Sequence, residues 1–212
     1  MAARLTLGST VFDDPLLLAP MEDVSTGPFR RLCRSYGADV LYTEFIHARG
    51  LADARRESVE KLRIDPAERP VNVQLFGEDP DAFAAAAERV LEARPDFIDI
   101  NIGCPVRKVV ARGAGAGLLK DLALTERIVR AVRRVASVPV TAKARIGWDA
   151  NSINVLELAR MLEANGVAAV AIHARTREQG YQGTADWSWI ARVKAAVTIP
   201  VIGNGDVFSA ED

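Results

Sequence analysis

Short apolar runs and longer amphipathic runs alternate along almost the whole chain, and this alternation leaves few folds open. Residues 16–21, 40–45, 71–76, 96–102, 138–146, 167–173 and 199–203 are short runs rich in apolar residues, several with polar residues set between them. Short runs of that kind are expected of buried strands. The segments between them carry helix signals. Pro28 follows Thr26 or Gly27 in a first turn that leads to an end near Gly37, and Asp79-Pro80 opens an alanine-rich helix that stops before Pro95. Asp121 opens a helix with Leu124, Ile128, Val132 and Val135 on one stripe, residues 152–165 stop at Gly166, and Asp186 opens a helix that turns Ile190, Val193 and Val197 inward. Residues 49–60, rich in Arg and acidic side chains, are expected to be a solvated helix or loop, and a further helix is expected from Ser209.

Strand and helix in strict alternation predict a parallel sheet. Polar residues recur at nearly every strand end: Met21-Glu22, Gln74, Asn101, Lys143, His173 and Asn204. An open doubly wound sheet gathers its ligand groups at one crevice, whereas a barrel gathers them from the carboxyl ends of all its strands. The expected fold is therefore α/β, a (β/α)8 barrel of TIM type. Seven strands are visible, and a complete barrel takes about 250 residues, so the 212 residues are expected to be one incomplete barrel domain without strand eight. Residues 5–12 alternate around Gly8 and are expected to form a hairpin that closes the barrel floor.

The run Asp99-Ile100-Asn101-Ile102-Gly103-Cys104-Pro105 ends one of these strands abruptly. Cys104 thus sits where a parallel barrel binds ligands. Asn101 is one strand period inward of Gly103, so its amide is expected at the barrel mouth. A lone cysteine is most often a core residue. Here Arg107, Lys108, Arg112 and the glycine-rich stretch 113–117 follow it, so a loop with cations that favour thiolate character is expected instead. Cys33, on a helix face with Phe29, Leu32 and Tyr36, reads as core. Lys143 lies inside a buried strand and needs an anion there, either a ligand or a barrel carboxylate such as Glu44 or Asp99.

The run 99–105 with Gly113-Ala114-Gly115-Ala116 downstream resembles the signature of the tRNA-dihydrouridine synthases, the bacterial B-type more than the others. The resemblance runs from about Leu18 to the last residue. It implies a flavin-dependent barrel that reduces the 5,6 double bond of a uridine in tRNA, with FMN as cofactor and NAD(P)H as reductant. It implies that Cys104 is the catalytic proton donor. Pro20, Met21, Glu22, Gln74, Lys143, His173, Asn204, Gly205 and Asp206 would contact the cofactor. Asn101, Arg107, Lys108 and Arg175 would contact the RNA, Arg175 at the target uracil or its phosphate. The family's second phosphate-binding half, after strand eight, and its helical tRNA-binding domain have no counterpart in the sequence. Another FMN barrel of the dihydroorotate dehydrogenase type is the nearest alternative, but those carry a serine where Gly103 stands. An inactive fragment is the other.

Charge adds a constraint. The chain has 27 basic and 28 acidic residues and a net charge of -1, so RNA contact is expected from a local patch. His47 matches no motif and is expected to be structural. Two cysteines make neither a disulfide framework nor a metal cluster, and no long apolar run suggests a membrane span. A cytoplasmic protein without metal, monomeric when complete, is expected.

Overall fold

The computed structural model of the protein describes residues 4–209 and 211. A hairpin of β1 (Arg4–Leu7) and β2 (Thr10–Asp13) comes first. It is followed by α1 (Gly27–Ser35), β3 (Leu41–Tyr42), β4 (Ile46–His47), α2 (Ala48–Ala52), α3 (Arg56–Lys61), β5 (Val71–Phe76), α4 (Pro80–Glu92) and β6 (Phe97–Ile102). Then come α5 (Arg107–Val110), α6 (Leu122–Val135), β7 (Val140–Arg145), α7 (Val155–Ala164), β8 (Ala169–His173), α8 (Ser188–Ala196) and β9 (Val201–Asn204). From β3 to β9 the strands lie side by side in chain order, all parallel, with β3 and β4 sharing β5. Such a sheet is the wall of a (β/α)8 barrel. It is incomplete here: among the described residues β9 pairs with β8 alone.

The strand period of two sorts the side chains into an outer and an inner set. Ile98, Ile100 and Ile102 of β6 join Val140, Ala142 and Ala144 of β7 in the main core, packed with Phe83, Val90, Ile128 and Val132 of the surrounding helices. The alternate residues face inward and form layers. The lowest layer is apolar: Tyr42, Phe97 and Ala169 meet Leu5 and Leu7 of the hairpin. The hairpin therefore closes the floor as expected. Above it the interior is polar, with Asn72, Gln74, Asp99 and Thr141 all 0–1% exposed. Register then sets the top layer. Asn101 pairs beside Lys143, Arg145 beside His173, and His173 beside Asn204.

Several local expectations are corrected. Residues 16–21 form no strand; Leu17 makes a single parallel bridge to Val40, and the Leu18 amide donates to the Val40 carbonyl at 3.0 Å. Pro20 has no amide hydrogen to carry the ladder on. The second strand breaks into β3 and β4 because the Thr43 hydroxyl, not a backbone carbonyl, accepts from the Gln74 amide. Residues 49–60 are two short helices with Leu51 and Ser58 buried, so the segment is not simply solvated. On α1, Leu32 and Tyr36 point to solvent, 53% and 81% exposed, while Cys33 is half-buried. The helix expected from Ser209 falls mostly outside the described residues.

The buried side of α1 carries an ion pair in place of an apolar stripe. Arg30 Nη2 lies 2.7 Å from Glu68 Oε2, with 4% and 1% of the two side chains exposed. Arg30 also donates to the carbonyls of Ser25 and Arg63. A buried pair with its remaining hydrogen bonds made is expensive to break from one side, because the partner stays charged without compensation. Glu68→Ala is expected to lower unfolding free energy in urea by about 3–5 kcal/mol. The double variant Arg30→Met/Glu68→Leu is expected to cost clearly less than the two single changes added together, since it removes both charges.

Candidate active site at the carboxyl ends of the strands

The inner residues at the top of the barrel open onto a cavity of about 390 Å³. Pro20, Met21, Val24 and Phe45 supply its apolar walls, and Asn101, Cys104, Lys143, Arg145 and His173 its polar ones. A mostly apolar concavity with a few convergent polar groups is the ordinary form of a small-molecule site.

Cys104 is held by a relay of side chains that begins under the cavity floor. Asp99 accepts a hydrogen bond from Gln74 Nε2 at 2.6 Å and another from the Thr141 hydroxyl. Gln74 Oε1 accepts from Asn101 Nδ2 at 2.8 Å. Asn101 Oδ1 in turn accepts from the Gly103 and Cys104 amides at 3.0 and 2.9 Å. The turn at Cys104 is thereby fixed. The glycine-rich stretch packs beneath it: the Ala116 amide donates to the Cys104 carbonyl, and Gly115 has φ +56°. A Cβ there would stand 2.9 Å from that carbonyl oxygen. The loop expected after Cys104 thus divides into an exposed cationic part, Arg107, Lys108 and Arg112, and a buried support at residues 114–117. Cys104 itself is 8% exposed, and burial pushes its thiol up, not down. The Val106 amide and Arg145 oppose that rise, and Glu22 adds to it.

A dihydrouridine synthase family model matches residues 17–212 of the chain. The chain belongs to the dihydrouridine synthase family. It is 43% identical over 211 residues to a probable tRNA-dihydrouridine synthase 1 of Synechocystis, covering 99% of this chain and 59% of that protein. It is 42% identical over 205 residues to tRNA-dihydrouridine synthase B of Pseudomonas aeruginosa, covering 97% of this chain and 62% of that one. The chain therefore spans about three-fifths of the length of these relatives. Among solved structures, a mandelate oxidase mutant matches in fold at a TM-score of 0.59 and 15% identity, covering 96% of this chain and 61% of that one.

Within this dihydrouridine synthase barrel, the residues singled out in the sequence divide into three groups. Pro20, Met21, Glu22, Asn101, Cys104, Lys143 and His173 all line the cavity. Gln74, Arg175, Asn204, Gly205 and Asp206 do not line it; they support those that do. Gln74 is fully buried, with its oxygen and nitrogen engaged by Asn101 and Asp99. Asn204 Oδ1 accepts from Lys143 Nζ at 2.8 Å. Arg175 bonds Asp206, the Gly183 carbonyl and the His173 ring, and Asp206 also accepts from the Ala185 amide. At Gly205 (φ +109°) a Cβ would meet His173 Cδ2 at 2.7 Å. Arg107 and Lys108 form the third group, exposed on α5 just beyond the cavity rim. His47 accepts from the Gly50 amide to cap α2.

Sequence reasoning overlooked Arg145 and Tyr181. Arg145 is 2% exposed and donates to the carbonyls of Gly103, Thr176 and Gly180, tying the loops after β6 and β8 together. Its signal was present, since Lys143 and Arg145 share the inner face of one strand end. Tyr181, 79% exposed at the cavity mouth, stands in an irregular loop where no pattern marks it.

The site is electropositive. Burial lowers Lys143 to about 8, with Asp99 pulling it up and Arg145 pushing it down. Burial, with Arg145, Lys143 and Arg175, holds His173 down at about 3, well below its ordinary 6.5. His173 is therefore neutral at physiological pH. Its unfolded form takes up a proton below pH 6.5 while its folded form does not until about pH 3. Stability is thus lost as pH falls through that window, at up to about 1.4 kcal/mol per pH unit. Urea unfolding between pH 7 and 4 is expected to show a shallower acid-side loss for His173→Gln than for the parent.

Proposed function

We propose that the chain carries the active site of a flavin-dependent tRNA-dihydrouridine synthase that reduces the 5,6 double bond of a uridine, with FMN as its cofactor and NAD(P)H as reductant. The observation that carries this reading is a buried thiol, Cys104, fixed in the wall of a cavity that Lys143 and His173 also line.

The residues present fit a flavin. Pro20, Met21 and Phe45 offer flat apolar contact, and Lys143 holds a buried ammonium toward the cavity with Asn204 as its hydrogen-bond acceptor. A partly anionic ring would relieve the burial that depresses that lysine. His173, neutral, can donate or accept one hydrogen bond to a polar edge or phosphate. FMN bound there would supply the hydride for C6 of the uracil.

Cys104 would give the proton from Sγ to C5 of the uracil. A general acid has to hold its proton until the reaction takes it, and burial keeps this thiol protonated at neutral pH. The relay from Asp99 through Gln74 and Asn101 orients the turn that carries it. The cavity is too narrow for a duplex, so the target nucleoside has to leave its stack. Arg107, Lys108 and Arg112, exposed beside the rim, would attract the phosphate backbone.

Cys104→Ala in the FMN-loaded enzyme is expected to leave flavin reduction by NADPH at the parent rate and to slow dihydrouridine formation by about 10²–10⁴-fold. Dihydrouridine formation at the parent rate would assign the proton to another group. Lys143→Met keeps the stem and removes the charge. It is expected to weaken FMN retention about tenfold in a fluorescence titration, since one charge-assisted contact is worth a little over 1 kcal/mol.

A further inference from the structure

Glu22 and Asp23 form an acidic pair at the rim of a cavity proposed to admit an anionic nucleotide, a setting that their charge does not favour. The fold brings a third carboxylate beside them. Oxygens of Glu22, Asp23 and Glu44 all lie within 4.8 Å of one another, and the Asp23 amide donates to Glu44 Oε1 at 3.0 Å. Three like charges at that spacing repel unless a cation joins them. Lys61, at the end of α3, is that cation. Its Nζ hydrogen-bonds Glu22 Oε1 and stands 3.6 Å from Glu44 Oε1. Only 16% of the Lys61 side chain and 12% of the Glu44 side chain are exposed, against 39% for Glu22, so water screens the Lys61–Glu44 side of the cluster least. Burial pulls the ammonium down, but the hydrogen bond to Glu22 and the charges of Glu22, Glu44 and Glu57 outweigh it, and Lys61 titrates above its ordinary value.

Glu22 connects this cluster to the chemistry. It lines the cavity with Cys104, and its charge adds to the burial that pushes the thiol up. We propose that Lys61 is a positioning residue of the active site, whose ammonium is the resident cation of the Glu22–Asp23–Glu44 cluster. It holds Glu22 toward α3 and neutralises it, so that the rim, and the Cys104 thiol that shares the cavity, face one negative charge fewer. The ammonium thus occupies the place a divalent ion would take among these carboxylates. The inference rests on the reading of Cys104 as proton donor, but its test needs neither flavin nor RNA.

The test measures alkylation of Cys104 by iodoacetamide at pH 8, with peptide mass spectrometry separating it from Cys33. Lys61→Met unmasks the Glu22 charge and is expected to slow alkylation about threefold, because less of the thiol is ionised. Lys61→Arg is expected to restore the parent rate. Lys61→Met/Glu22→Gln is expected to restore it too, since Lys61 acts through Glu22. A general loss of folding would not be repaired by removing a second charge. Manganese binding read by electron paramagnetic resonance gives an independent measure. Lys61→Met is expected to bind one Mn²⁺ that the parent does not bind, and Lys61→Met/Glu22→Gln to lose it. Equal alkylation rates in the parent and Lys61→Met, or equal Mn²⁺ binding, would overturn the inference. If instead Cys104→Ala still forms dihydrouridine, the functional reading fails while these charge measurements stand.

Discussion

A single buried carboxylate, Asp99, sets the polarity of everything above it. It is fully enclosed, and burial raises it to about 6 against the pull of Gln74, Thr141 and Lys143. An ionised carboxylate can only accept hydrogen bonds. Gln74 must therefore present its nitrogen downward and its oxygen upward, Asn101 must present its nitrogen to Gln74, and only the Asn101 oxygen is left for the two amides of the Cys104 turn. Each amide group has one orientation that satisfies both neighbours. Satisfied arms of this kind specify a unique core, whereas a buried atom without a partner, as Asn72 Oδ1 is beside them, is costly. The second arm, from Asn72 through Thr141, ends on the same carboxylate and ties β5, β6 and β7 at the level below the cavity.

Irregular backbone has a different support. The loops that rim the site leave carbonyls with no ladder partner, and buried arginines supply donors to them. Arg145 serves the loops after β6 and β8, Arg175 the turn at Gln182 and Gly183, and Arg30 the segments at Ser25 and Arg63. The guanidinium suits this work because its five donors are fixed in one plane. A lysine at any of these places would reach fewer carbonyls.

The strands and helices were legible because their signals are local. Burial on both faces makes β6 and β8 read as apolar runs, and Asp79 and Asp121 cap α4 and α6 as their positions suggest. The failures came where a tertiary partner decided the outcome. Residues 16–21 have strand composition but meet their neighbour at one bridge only. Of the apolar face read on α1, Leu32 and Tyr36 are turned to water while Arg30 takes the interior with Glu68. In the site, Cys104, Lys143 and His173 were readable from strand ends, as expected of a barrel. That Gln74 and Arg175 stand behind the cavity wall depends on which atoms their neighbours offer, and no spacing in the chain records it.

The enclosure of Cys104 has a chemical corollary. Peroxide attacks the thiolate, and the first product, a sulfenic acid, goes on readily to states that cells reverse poorly or not at all. A thiol that is 8% exposed and held in its protonated form offers little of the reactive species. The same packing that encloses Cys104 thus limits its exposure to oxidants. Cys33, the other free cysteine, is half-buried on α1.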